Sequence, residues 1–431
     1  MDATDITDYR RTIIRRWILG LLATCLPVAA ICADPAAATA PDDSNPSPPV
    51  ALSGFGTLGA VHSSSSLADY TSNLFKPNGA GHSHDWSFDV DSLVAGQMLM
   101  NFTPQWSAMV QATVEQQYDN SYVPTLEWAN VKYEFTPDLD VRLGRVLLPS
   151  FLVSDDRKVG YANPWVRPPI EVYWLVPVTK NDGIDSSYRA HWGDVSSTFL
   201  ATYGELATNG VGSVPGRARQ QEGIFNTTEY GPFTFHVTYQ QTHFQTAALT
   251  SLFNAFRSFG PQGEAIAGRW QCDGKEIKLR SVGLEVDPGD WFTMAEWARN
   301  DAHCFIGAQA GWYVTGGYRV SDWTPYLTYA DLKVKSNTSD PGLDLALVAP
   351  YLAGEAAGLN AALNGVLGST GAQRTVSIGL RWDVRRDIDV KAQFDQIYLA
   401  GGSPGLLVNV QPGFAAGSSL HVISVTMDFV F

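Results

Sequence analysis

The chain has 431 residues, a net charge of −14, 45% hydrophobic residues, 39 Gly and only 17% charged residues. The acidic balance, with no basic run beyond the first residues, excludes nucleic acid as a partner, because phosphate binding needs a basic face. Beyond the leader no stretch offers the ~18 consecutive apolar residues of a spanning helix, so any membrane insertion must come from strands.

Residues 1–33 read as an export signal, with Arg10, Arg11, Arg15 and Arg16 before the apolar run Trp17 to Ile31. Ile31-Cys32-Ala33 suits cleavage before Asp34, which would remove Cys25 and Cys32. Arg10-Arg11 is similar to a twin-arginine signal, but that route carries folded cargo; Ile31 is too bulky for a lipoprotein site. A membrane anchor is the weaker reading, because the run is only about 15 residues long. Residues 34–50, DPAAATAPDDSNPSPPV, lack hydrophobic periodicity and read as a flexible periplasmic tail.

From residue 51 to 431 the spacing predicts sixteen strands, near 51–62, 92–102, 106–116, 125–135, 139–147, 184–192, 195–205, 220–230, 233–243, 275–286, 291–301, 305–320, 324–333, 373–383, 388–398 and 418–431. Seven connections are short and rich in turn formers, among them Gly193-Asp194 and Gly231-Pro232, and they alternate with eight mostly long ones. In 233–240 Phe233, Phe235, Val237 and Tyr239 share one face and Thr234, His236, Thr238 and Gln240 the other. An even count of alternating strands, with short turns at one end and long loops at the other, predicts an all-β, 16-stranded antiparallel transmembrane barrel with both termini at the short-turn end. A water-soluble barrel would have to fill so wide an interior with apolar side chains, whereas here the candidate interior is polar. Trp106, Trp128, Phe135, Trp192, Trp291, Trp323, Trp382 and Phe431 gather near strand ends, as interfacial girdles require.

The stretch Leu148 to Gly183 interrupts this rhythm. Its five Pro cannot continue a ladder, yet four Trp and Tyr and eight charges make it too structured for a slack linker. It is expected to fold into the bore as a pore constriction. Two other loops hold helix-like runs, Ala247 to Phe259 and Leu343 to Leu367, which would cap the mouth, partly plug it, or pack on neighbouring loops or subunits.

The last segment, LHVISVTMDFVF, alternates Ile423, Val425, Met427, Phe429 and Phe431 on one face, and a chain ending on an aromatic resembles the signal read by barrel-assembly machinery. Val-Arg-Leu-Gly-Arg at 141–145 is similar to the Leu-Gly-Arg run before the third loop of Gram-negative, sixteen-stranded, usually trimeric porins. The third long connection here is Leu148 to Gly183, although it lacks the Pro-Glu-Phe-Gly-Gly type of sequence common in general porins. The resemblance implies an outer-membrane diffusion channel, a homotrimer embedded among outer-membrane lipid and lipopolysaccharide, with small hydrophilic solutes as its traffic.

Selectivity in a water-filled pore comes from diameter and rings of charge. Strand parity places Lys132, Arg142, Arg189, Lys278, Arg280, Arg381 and Lys391 on polar, inward faces, and the loop supplies Asp155, Asp156, Arg157, Lys158, Arg167 and Glu171. A basic wall opposite an acidic loop would set a transverse field; the alternative is that these charges only neutralise one another and keep the lumen wet. Strict alternation puts Arg145 beside Leu143 facing lipid unless a bulge at Gly144 turns it.

Enzyme chemistry finds no motif. His-Glu-x-x-His, Gly-x-Ser-x-Gly and a phosphate-cradling glycine loop are all missing. His82 and His84 with Asp85 lack a third fixed ligand, so neither metal nor cofactor is expected. His236 amid Ser and Thr would suit a barrel hydrolase, but reads better as a polar lumen residue. A surface adhesin or receptor with an occluded lumen is the rival from another class. Cys272 and Cys304 remain after processing, and in an oxidising compartment an even pair at the rim of one hairpin is expected to form a disulfide.

Overall fold

The computed structural model describes residues 49–210 and 214–431. The export signal at 1–33 and the tail through residue 48 lie outside the described residues. The remainder forms a closed ring of sixteen long antiparallel strands. In order these are β1 Val50–Ser63, β2 Leu93–Asn101, β3 Trp106–Glu115, β4 Thr125–Thr136, β5 Leu139–Leu147, β6 Lys180–Trp192, β7 Val195–Gly210 and β8 Val214–Tyr230. They continue as β9 Phe233–Thr246, β10 Lys275–Val286, β11 Trp291–Ala302, β12 Gln309–Tyr318, β13 Trp323–Val334, β14 Gln373–Arg385, β15 Ile388–Leu399 and β16 Ser419–Val430. Each pairs with its neighbours in sequence, and β1 closes on β16 from Phe55↔Val430 to Ser63↔Val422. No helix among the described residues is long and apolar enough to cross a membrane.

The alternation decides which way each side chain points. On β9 Phe233, Phe235 and Tyr239 are exposed on the outside, while His236, Thr238 and Gln240 are buried within. The same division runs through β14, where Val376, Ile378, Leu380 and Trp382 face out. Tight turns join strands at one end; Gly193 (φ 60°) and Gly231 (φ 53°) supply the left-handed residue that two-residue turns demand. Val50 pairs with Met100 beside one of these turns, and β16 ends there too, so both described ends of the ring lie at the short-turn end. Trp106, Phe135, Trp192, Trp291, Trp323 and Trp382 form an exposed aromatic band at that end, with Trp323 and Trp382 stacked 5.1 Å apart.

Four strand boundaries differ from the sequence expectation, in three places. β6 begins at Lys180, so the loop in the bore spans 148–179. β7 runs on to Gly210 and β8 starts at Val214, where the sequence suggests a long loop over 206–219. β12 starts at Gln309 rather than near 305. In the second case polar residues pair above the apolar belt, as in Asn209↔Pro215, where hydrophobic alternation gives no signal.

Lys278 and Arg280 require a correction: both point outward. On β10 Leu279 and Ser281 are buried inside, while Val282 and Leu284, on the parity of Arg280, are exposed outside. Leu279 belongs to the apolar cluster inside the bore, so here polarity is not a guide to direction. The outward charges are tied locally, Lys278 to Glu276, and Arg280 to Asp301 at 3.4 Å.

At the external end two loops pack on one another. The 247–274 loop forms α1 Thr250–Arg257 and α2 Pro261–Trp270, and the 335–372 loop forms a longer helix, α3 Ala353–Gly368. Phe253, Phe256, Ile266 and Trp270 share a buried cluster with Leu343, Ala356, Leu363 and Leu367. Asp340 clamps the pair, accepting from Arg269 at 2.6 Å and from Trp270 at 2.7 Å. A disulfide joins Cys272 to Cys304 across the external ends of β10 and β11, with Cα atoms 5.2 Å apart. By loop-entropy arithmetic it contributes about 4 kcal/mol. Alkylation of unreduced, denatured protein is therefore expected to find no free thiol at these positions. Cys304→Ser should expose 247–274 to protease while the barrel stays folded.

Candidate functional site

The loop 148–179 turns into the bore because its neck is pinned: Leu148 N–H donates to Thr179 O at 2.9 Å. Its Pro residues then forbid a ladder, and the chain crosses the lumen by side-chain anchors instead. At the entrance His236 Nε2 sits 3.1 Å from Pro149 O, Ser150 bonds Gln240 at 2.8 Å, and Leu152 N–H donates to Glu296 at 2.9 Å. Trp165 is buried across the bore, its indole N–H shared between Thr315 (3.0 Å) and Thr328 (3.1 Å). Around these, Leu148, Phe151, Trp165 and Val172 join Tyr70 and Val90 of the first external loop, and Leu406 and Leu407 of the last, in one apolar cluster. The apolar core of this molecule lies inside its bore.

Arg167 is the tightest knot. Its guanidinium makes a bidentate pair with Asp91 (2.8 and 2.6 Å), donates to Ser424 at 2.6 Å and Tyr70 Oη at 3.1 Å, and reaches Asp395 at 3.4 Å. Burial alone would depress its pKa, but Asp91, Tyr70 and Asp395 more than offset that and hold it well above the ordinary arginine value. Glu171, on the single turn Ile170–Tyr173, accepts from Gln373 at 2.8 Å and from Thr375. Burial raises its pKa, the two hydrogen bonds opposing.

The wall cations Arg381 and Lys391 hold the loop by its backbone. Arg381 donates to Tyr161 O at 2.7 Å and Asn163 O at 3.2 Å, and Lys391 to Gly160 O at 2.5 Å. A Cβ at residue 160 would lie 2.1 Å from Asp428 Oδ1, so the close approach requires glycine there. Lys391 is fully buried and balanced by Asp428 at 2.9 Å, which also accepts from Thr57. Lys158 spans the remaining gap to the opposite wall, 2.6 Å from both Glu115 and Glu127. Arg157 donates to Tyr173 O and Val176 O, 2.9 Å each.

Both polarities occur: the wall cations Arg381 and Lys391 hold the loop by its backbone, while the half-buried Lys158 and the buried Arg167 of the loop meet wall and rim carboxylates. Asp155 and Asp156 are exposed toward the lumen, and burial of their surroundings raises both pKa values. Lower in the bore Arg142 is bidentate to Asp185 at 2.9 and 2.8 Å, Lys132 pairs with Glu134, and Arg189 is exposed. Gly144 has φ 128° but pairs Asn130 without a register slip; Arg145 bonds Asp182 at 2.6 Å and borders the cavity described below. His82 and His84 lie near backbone carbonyls of Ser66 and Gly79. Sequence reasoning missed Asp91, Glu115, Glu127 and Asp428, although Glu115 and Glu127 stand near external strand ends, where wall charges meet an incoming loop.

Beside the loop a cavity of about 590 Å³ remains, bounded by β3 to β7, the first external loop, and Thr57 and Leu93 of β1 and β2. The chain has the fold of an outer-membrane barrel. It is similar to Salmonella typhi OmpF in complex with daunomycin, at 12% identity over 89% of this chain and 97% of that one, with a TM-score of 0.53. It is also similar to OmpT of Vibrio cholerae, an outer membrane protein, with its loop L8 deleted, at 9% identity over 89% and 100% of the two chains, with a TM-score of 0.50. No family model matches the chain, and no curated protein matches it.

Removing Arg167 would leave Asp91 and Asp395 buried without a counter-charge. Arg167→Met is expected to cost about 3–5 kcal/mol in denaturant unfolding of the detergent-solubilised protein. A loss below about 1 kcal/mol would mean that the carboxylates find other partners.

Proposed function

We propose that the protein is a passive diffusion channel of the bacterial outer membrane, admitting small hydrophilic solutes and ions without catalytic turnover. The observation that carries this reading is a polar bore crossed by an anchored loop that leaves a cavity of about 590 Å³ along the β3–β7 wall. Sixteen strands enclose more space than side chains alone can fill, and the loop sets how much of it conducts. The fold shared with other outer-membrane barrels supports the location, and the exposed apolar outer face supports insertion.

Purified protein in a planar bilayer should give steady conductance steps, grouped in threes if it assembles as the trimer that the porin resemblance implies. Folded but silent protein would sink the reading. Deleting 155–165 should raise single-channel conductance, since Lys158 then no longer bridges to Glu115 and Glu127; unchanged conductance would mean that the loop does not set the limiting cross-section.

A further inference from the structure

The cavity beside the loop is unevenly charged. Lys76, Arg145, Arg157, Lys158, Arg167 and Lys180 border it, against the carboxylates Asp91, Glu115 and Glu127. All three carboxylates are already engaged: Asp91 with Arg167, Glu115 with Lys158, and Glu127 with both Lys158 and Lys180. Arg145 is balanced by Asp182.

Two cations are left over. Lys76, 3% exposed, donates to the backbone carbonyl of Asp89 at 2.6 Å, and Arg157 donates only to the carbonyls of Tyr173 and Val176. Among the described residues no carboxylate lies within ion-pair distance of either. Burial lowers both pKa values, Arg157 to about 10, and nearby Glu115 offsets this only in part. Uncompensated charge in a partly desolvated site is costly, and neutral carbonyls recover only part of that cost. A guanidinium and an ammonium on the rim of one polar cavity form a donor set for carboxylate or phosphate oxygens. With Asp182 beside Arg145 and Asp395 beside Arg167 counted, six cations stand against five carboxylates, a small local excess of positive charge in a chain whose net charge is −14.

We propose that this cavity is a binding site for small oxyanions, solutes bearing a carboxylate or phosphate group, with Lys76 and Arg157 supplying the uncompensated charge. The inference rests on the channel reading for the direction of traffic, but not for occupancy.

Calorimetric titration of inorganic phosphate, and separately of succinate, into the folded full-length protein in low-salt detergent tests occupancy directly. Saturable binding of at least one anion is expected, and the stronger ligand identifies which group the site prefers. The Lys76→Met, Arg157→Gln double variant should bind about tenfold more weakly or worse, a charge-assisted hydrogen bond being worth that much. Arg157→Lys, which keeps the charge, should retain most of the affinity. Unchanged heat-modified gel mobility shows that the variants are folded. In a bilayer under a potassium chloride gradient, the reversal potential should report anion preference, and the double variant should move it toward cations. Absence of saturable binding for both anions, or equal affinity in the double variant, would each overturn the proposal. Binding without any current would support the site and remove the channel reading instead.

Discussion

In hydrocarbon every peptide N–H and C=O needs a partner, and no water is present to supply one. The β1–β16 ladder meets that demand by removing the last free edge. Once the ring must close, its circumference is fixed by the strand count, and a bore follows whether or not side chains can fill it. The inward loop, the cavity beside it and the apolar cluster within the lumen all answer that one geometric consequence.

The loop answers it with polar anchors. Buried ion pairs bring little net stability because desolvation consumes the Coulombic gain, but each broken pair is expensive. Arg167 with Asp91 and Asp395, and Lys158 with Glu115 and Glu127, therefore act more as selectors of one conformation than as sources of strength. Trp165 and Phe151 add apolar burial that does not depend on ionisation. The two contributions are interleaved along one segment, so the loop has few ways to lie in the bore.

The architecture was legible in the sequence because period-two alternation and turn residues are local signals. The existence of an inward loop was legible from its Pro and aromatic content. Facing was less so. Lys278 and Arg280 misled because a strand's polar face points inward only within the lipid belt and only where the lumen is polar; near Leu279 neither condition holds. The partners of the loop cations were also hidden, since sequence identifies charges but not which side of a wide bore a crossing segment meets. Arg157 is the extreme case, because backbone carbonyls hold it and these carry no residue-type signal at all.

Arg167 links parts of the chain made at very different times. Asp91 and Ser424 lie 76 and 257 residues from it in sequence, one just before the second strand and the other in the last. The knot cannot be completed until β16 has taken its place beside β1. The loop's anchors to the other walls do not need that seam, but this one does, so the anchoring of the crossing segment is complete only in a closed ring. Through Arg167, ring closure and the fixing of the loop in the bore are, in this molecule, coupled.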